Sequence, residues 1–445
     1  MLGFLKAYLC YPLAECREKR HILDRLRWLR QEACQPFAAR KARLTRQLVA
    51  ALDRAGHAVP YYRDLFASRN FSPEKLTKDL RYLTDLPWLT KEIVREQGTR
   101  LLSETLADRS LHERKTGSST GSAVVIRYDQ EALDWTAAQN IQVLGWGGKR
   151  RHHREVHLST RFREPIPDDA ARHEAWKCFV LNRANVYTGA FTPEELKVVW
   201  QNIQAAHPSV VQGHPSTMHA LAHHVRTQYP DGVGRTFAIF VSTGELLQPR
   251  QRQEIEHVLG CRVSNRYGAA EFGVMAQELA AGPKDELLVC DSLVFPELAD
   301  ADAEGVGELA FTALRNPAMP LIRYRMGDLG RLEERDTGWW VTALYGRVHD
   351  VVQLDGRQYP THYIQDILDR CGDIRDFQIA VRNGVAQELR LVLPSNGRDA
   401  ILAKVRKNFP TLPTRVIELA DLMFSGWRGK FRYVINLEGK DHAGV

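Results

Sequence analysis

From about residue 115 onward the chain alternates short β-branched runs with longer amphipathic stretches, and this alternation constrains its fold more than any other feature. Strand candidates are "AVVIRY", "EVHLST", "SVVQG", "FAIFVST" and "CRVSNRY", while "TPEELKVVWQNIQAAH" and "PSTMHALAHHVRTQY" between them read as helices. Such alternation builds layered α/β structure, because each helix buries one face against a sheet. Around 285–345 the pattern changes to closely spaced strands, "LLVCDSLVF", "GELAFTAL" and "GWWVTALY". After "LYGRVHD" a smaller α+β pattern begins, with a helix at "THYIQDILDRC" and strands at "IRDFQIAV" and "ELRLVLP". The expectation is a large α/β domain over 1–345 and a small α+β domain over 346–445, divided where the pattern changes.

A chain of 445 residues with 44% hydrophobic and 26% charged residues has the makings of a folded core. No apolar run reaches the roughly 18 residues of a membrane span. The opening "MLGFLKAYLCYPLAEC" lacks the basic cluster and cleavage site of a signal peptide, and reads as mature protein. Seven cysteines, odd in number and never arranged as CxxC, point to a reducing cytoplasm and give no zinc signature. The net charge of +7 is carried largely by two clusters. Residues 21–48 have leucines at helical spacing between arginines and read as an amphipathic helix packed on the body. "KRRHHR", 149–154, reads as a basic loop that would suit an anionic cofactor or an acidic acyl carrier protein. No stacking aromatics are interleaved with the charges of this loop, so nucleic acid is not an expected partner.

Chemistry is concentrated in glycine-punctuated segments. "TGSSTG" can turn backbone amides inward on an anion while Thr116, Ser118, Ser119 and Thr120 add hydroxyl donors between Gly117 and Gly121. It lacks the lysine of GxxxxGK[ST], which excludes the common P-loop. "NRYGAAEFG" places the Tyr267 ring four residues before Glu271, on a loop after a strand. "IRYRMGDLG" places Asp328 in a second such loop, "GRVHDVVQLDG" supplies Arg347, and "GWRGKFRYVIN" sets Lys430 between Gly429 and Phe431. A ring for a base, separated carboxylates for ribose and Mg²⁺, and cations for phosphates are the parts of an ATP site. His219 and His223 stand four apart, but the glutamate of HExxH is missing, so no metal is expected there.

In order and spacing these motifs resemble the adenylate-forming superfamily of acyl-CoA synthetases and nonribosomal adenylation domains, and most of all its phenylacetate-CoA ligase and CapK-like group. The phrases "VPYYRDLF", "LTDLPWLTKEIV", "VQGHPSTMHALAHH" and "VSTGELL" resemble that group as well. The resemblance implies that Thr116, Gly117, Ser118, Ser119, Thr120 and Gly121 grip the ATP phosphates. Tyr267, with Gly268 and Ala269, would form the adenine side, Glu271 would hold Mg²⁺, Asp328 the ribose hydroxyls, and Arg347 ribose or phosphate. Gly244 and Glu245 would line the nucleotide and acyl pocket, and His214, Pro215 and Ser216 would approach the acyl group. Lys430 would be the catalytic lysine on a mobile C-terminal domain, and His349 stands at the hinge position. The implied reaction joins a carboxylic acid to AMP and then to a thiol, that of CoA or of a carrier-protein phosphopantetheine. Ala270 and Met326 depart from the hydroxyl residues usual at their positions, and His349 from the usual hinge residue. These departures leave a non-catalytic nucleotide-binding relative as one alternative; an adenylyltransferase that leaves AMP on its substrate is another, because the resemblance includes synthetases that do so.

Overall fold

The computed structural model describes residues 2–437 apart from 107–109, 116–123, 161–167, 190, 231, 346–350, 375, 395, 419–420, 422–423, 426–429 and 432. A hairpin of β1 (His112–Lys115) and β2 (Val125–Tyr128) precedes the main sheet. Five strands follow that lie parallel: β3 (Glu155–Thr160), β4 (Arg183–Thr188), β5 (Val210–Gly213), β6 (Ile239–Ser242) and β7 (Arg262–Ala269). Antiparallel strands continue the sheet: β8 (Gly273–Gln277), β9 (Leu287–Val289), β10 (Val294–Ala299), β11 (Gly307–Ala313), β12 (Tyr324–Arg335) and β13 (Gly338–Tyr345). The order across the sheet is β10-β11-β12-β13-β9-β8-β7-β6-β5-β3-β4.

Helices connect the parallel strands, as the alternating pattern requires. Those at Pro193–Ala206, Pro215–Gln228 and Pro249–Leu259 each begin with proline, whose fixed φ suits the first turn and whose missing N–H would have no helical partner there. Gly260 ends the last of them in the left-handed region, at φ +60°. One apolar core lies under this parallel half, around Trp200, Phe240 and Ile255. A second joins the antiparallel half to the N-terminal helices, around Leu48, Tyr62, Phe311 and Tyr324.

The amphipathic segment expected over 21–48 is two helices, Ile22–Ala33 and Phe37–Ala58. Pro36 breaks the run, since its ring disfavours helical backbone at the preceding residue. The first of them buries Leu26 and Leu29, and Trp28 meets Trp135 edge-on at 5.3 Å.

Beyond the main sheet, β14 (Val351–Leu354), β15 (Arg357–Pro360), β16 (Asp376–Arg382), β17 (Val385–Val392), β18 (Thr414–Val416) and β21 (Val434–Asn436) form a separate sheet. It has its own core around Ile364, Ile379, Leu389 and Val405. A two-stranded ribbon, β19 (Phe424–Ser425) and β20 (Lys430–Phe431), precedes the last strand.

Candidate active site

Strand β7 is the junction of the main sheet. Its first half, 262–265, pairs parallel with β6, and its second half, 266–269, pairs antiparallel with β8. Gly213 at the end of β5 pairs with Ser242 at the end of β6, which pairs with Asn265. The carboxyl ends of three parallel strands therefore share one edge, where open α/β sheets bind their ligands.

Two clusters form there. In the first, the Ser216 amide and hydroxyl donate to the Glu245 carboxylate over 3.2 and 3.0 Å. The carboxylate satisfies an amide that a helix start leaves without an intrahelical partner, and it faces the positive end of that helix. Gly244 has φ +82°, and a Cβ there would lie 2.5 Å from His214 Cε1, so both backbone and space demand glycine. His214 Nδ1 stands 3.8 Å from Glu245 Oε1.

In the second, the Tyr267 hydroxyl donates to Asp328 Oδ2 over 2.8 Å. The sequence pattern places both residues in loops, yet both stand in strands. Strand β12 pairs with β11 through Glu308 opposite Leu329 and Ala310 opposite Arg325, so Met326, Gly327 and Asp328 together oppose Leu309. This bulge detaches Asp328 from the regular ladder and re-aims its side chain. Gly327 permits it with φ +79°, and its amide donates to Glu308 Oε1 over 2.7 Å. The Tyr267 ring is 7% exposed and packs near Phe311.

Glu271 sits in the turn after β7, 5% exposed, and accepts from the Tyr324 hydroxyl over 3.2 Å. The Tyr128 hydroxyl donates to the carbonyl of Ala270 over 2.6 Å. Burial pushes the Tyr128 phenol well above its ordinary range and the Arg114 guanidinium only partly offsets this, so the hydroxyl stays protonated as a donor. Thr116, Gly117, Ser118, Ser119, Thr120 and Gly121 lie outside the described residues. The strands at both ends of their loop are nevertheless placed: Lys115 pairs with Val125, and Tyr128 ties β2 to the turn that holds Glu271.

Two N-terminal segments fix the approach to Asp328. The Tyr62 hydroxyl donates to the carbonyl of Pro320 over 2.8 Å and accepts from the Ile322 amide over 3.1 Å. Leu89 exchanges backbone hydrogen bonds with Arg323 and Arg325, both 2.9 Å. Tyr62, Leu89, Tyr128 and Tyr324 are missed by site reasoning from sequence, because an aromatic or leucine in an apolar run reads as core.

Arg347 and His349 lie outside the described residues. Lys430 begins β20 opposite Ser425, and its side chain is outside the described part. Among the described residues no three His, Cys, Asp or Glu side chains converge as a metal site. Glu271 offers the hard carboxylate oxygen that suits Mg²⁺, an ion that takes one or two protein carboxylates and completes its shell with phosphate and water. A cavity of about 580 Å³ is bordered by Arg114, just before the hydroxyl loop, by Gly273 and Val274, just after Glu271, and by Ile22, Leu133, Ala137 and Val180.

The basic loop 149–154 is partly committed to the fold. Lys149 lies 3.0 Å from buried Glu155, Arg151 donates to the carbonyl of Ala7 over 2.6 Å, and the His152 ring stacks on Phe4 at 3.9 Å. His219 Nε2 lies 2.9 Å from Glu254, a pairing between neighbouring helices.

A parallel α/β sheet continued by an antiparallel half and followed by a small α+β unit is the fold of the adenylate-forming ligases. The structure of 2-hydroxyisobutyryl-CoA ligase in complex with 2-HIB-AMP and CoA superposes with a TM-score of 0.59 at 19% identity, covering 90% of each chain. The same ligase in its postadenylation state gives 0.57 at 19% identity, again over 90% of each. No family model matches the sequence. Among curated proteins, the phenylacetate-coenzyme A ligase of Pseudomonas putida is 24% identical over 326 residues, 71% of this chain and 66% of that protein. Protein CapK of Staphylococcus aureus is 23% identical over 281 residues, 61% of this chain and 59% of CapK. The chain thus spans 66% and 59% of the length of these two relatives. In sequence it is similar to the phenylacetate-coenzyme A ligases and to CapK, at 23 to 26% identity, and in fold to 2-hydroxyisobutyryl-CoA ligase.

Proposed function

We propose that the protein activates a carboxylic acid with ATP and passes the acyl group to a thiol. The observation that carries this is the Tyr267–Asp328 hydrogen bond beside the Glu271 turn, which sets a ring and two carboxylates together at the ligand edge of the sheet. Asp328 takes the ribose hydroxyls, Tyr267 holds that carboxylate in place and borders the adenine, and Glu271 holds Mg²⁺. The bound ion would neutralise charge on the phosphates. Thr116, Ser118, Ser119 and Thr120 donate to the phosphates, with Gly117 and Gly121 allowing the close approach, and Arg347 adds a cation. The 580 Å³ cavity bordered by Arg114, Gly273 and Val274 takes the acid's organic group, and His214, Pro215, Ser216, Gly244 and Glu245 approach the acyl group from the ends of β5 and β6.

In the first step a carboxylate oxygen bonds to the α-phosphorus and the bond to the β-phosphate oxygen breaks, so pyrophosphate leaves with the electron pair. Lys430, on a mobile unit over 346–445, stabilises the charge that develops there. In the second step a thiolate sulfur bonds to the acyl carbon and AMP leaves. The thiol is that of CoA or of a phosphopantetheine carrier. Movement of the unit away from the site, with His349 at the hinge, lets one pocket run both steps. Support comes from the curated relatives named phenylacetate-coenzyme A ligase and from the neighbour crystallised with 2-HIB-AMP and CoA.

ATP–pyrophosphate exchange across a broad carboxylic-acid library tests the reading, with CoA and carrier-protein acceptors added for each active acid. Exchange should depend on the acid and vanish in Lys430→Ala while ATP binding persists. Absence of exchange with every acid would remove the proposal, and a stable adenylated product without any thiol requirement would replace it by adenylyl transfer.

A further inference from the structure

The first helix is turned inside out. Leu2–Leu5, the π-helical turn Lys6–Cys10 and Tyr11–Arg17 run on as one helix. Its small residues face the body: Ala7 and Ala14 are buried, and a Cβ on Gly3 would collide with the carbonyl of His152. Its large apolar residues face away: Leu2, Phe4, Leu5, Tyr8, Leu9 and Leu13 are 48 to 62% exposed. A helix that fills a core shows the opposite arrangement, and a contiguous apolar patch of this kind marks a contact surface.

The surroundings of this face are cationic. Arg151 lies 5.2 Å from the Tyr8 ring and 5.4 Å from the Tyr11 ring. Behind Tyr8 is a cavity of about 240 Å³ bordered by Arg30, Lys149, Arg150 and Arg151, with no acidic residue among its described lining. Lys149 is paired with Glu155, whereas none of the described ion pairs involves Arg30, Arg150 or Arg151. Arg30 and Arg150 are exposed.

We propose that this helix and cavity dock the protein on an anionic phospholipid surface. The leucines and Tyr8 enter the boundary between headgroups and acyl chains, and the exposed Arg30 and Arg150 meet headgroup phosphates. Charge decides between this partner and a second copy of the chain: a two-fold contact sets the same surface against itself, so the arginines would confront their own copies. An anionic bilayer complements both the apolar face and the charge.

Flotation of the full chain with vesicles is the test. Protein should rise with phosphatidylcholine vesicles containing phosphatidylglycerol and not with phosphatidylcholine alone. The double variant Leu5→Gln/Leu9→Gln should lower partitioning about tenfold or more, and Arg30→Gln/Arg150→Gln should erase the preference for phosphatidylglycerol. Unchanged circular dichroism and unchanged ATP binding show that these surface variants fold. Equal recovery on the two vesicle types, or undiminished binding by the leucine variant, overturns the proposal. So does a wild-type dimer in light scattering that the leucine variant converts to monomer while vesicles recover neither.

Discussion

Tyr267→Phe isolates the contact on which the candidate site turns. The substitution keeps the ring against Phe311 and removes only the hydroxyl that donates to Asp328 Oδ2 over 2.8 Å. A hydrogen bond to a charged acceptor contributes about 1.5–3 kcal/mol. Asp328 is half-buried, so water replaces part of that loss, and about 1–1.4 kcal/mol remains. If the bond serves to aim the carboxylate at ribose, this appears in nucleotide affinity as a rise of about five- to tenfold in the ATP dissociation constant. Asp328→Ala removes the carboxylate itself and should weaken ATP by about 1.5–3 kcal/mol. Titration calorimetry on wild type, both single variants and the double variant gives the coupling directly. The double variant should bind ATP no worse than Asp328→Ala alone, because the hydroxyl acts only through the carboxylate. Wild-type affinity in Tyr267→Phe, or losses that simply add, would refute the assignment of Tyr267 as the residue that positions Asp328.

Gly244→Ala should destabilise the fold by about 2–4 kcal/mol, combining left-handed backbone with a clash on His214; a urea midpoint matching wild type would show that the loop relaxes freely. Glu155 gives a pH prediction. Burial pushes its carboxyl up, but His157 and Lys149 more than offset this and hold it at about 2, against an ordinary 4.5. A depressed carboxyl contributes stability that is fully present above about pH 4.5 and lost as pH falls through about 2, here roughly 3 kcal/mol. Thermal melts across that window should show a shallower acid slope in Glu155→Gln, and equal slopes would mean that another carboxylate dominates.

Much of the α/β organisation was legible because its signals are local. "EVHLST" is β3 from end to end, and "TPEEL" and "PSTMH" contain the starts of two crossover helices, since strand alternation and proline at a helix start need no distant partner. The Gly244–Glu245 pair was equally legible as a glycine-acid loop. What misled was punctuation. Glycines beside Tyr267 and Asp328 suggested loops, but Gly268 lies within β7 and Gly327 within the bulge of β12. A glycine marks a departure from ordinary backbone without saying whether the chain turns or bulges. The basic loop 149–154 is exposed at Arg150 and Arg154 but committed to the fold elsewhere. Lys149 and Arg151 are spent on Glu155 and Ala7, partners that no charge count reveals.

The sequence by itself determined the layered α/β class, the order of the glycine-rich motifs and the residue types proposed to meet a nucleotide, all of which rest on neighbours along the chain. The tertiary structure decided which of them meet. It set Tyr267 against Asp328 through a bulge register, fastened the hydroxyl loop's return strand to the Glu271 turn through Tyr128, and used Tyr62 and Leu89 to hold the approach to β12. It also turned the first helix outward, because the small faces of Gly3, Ala7 and Ala14 fit the body closely and left the large apolar side chains no place but the surface. These are contacts between segments tens to hundreds of residues apart, where packing and pairing register, rather than local propensity, choose the partner.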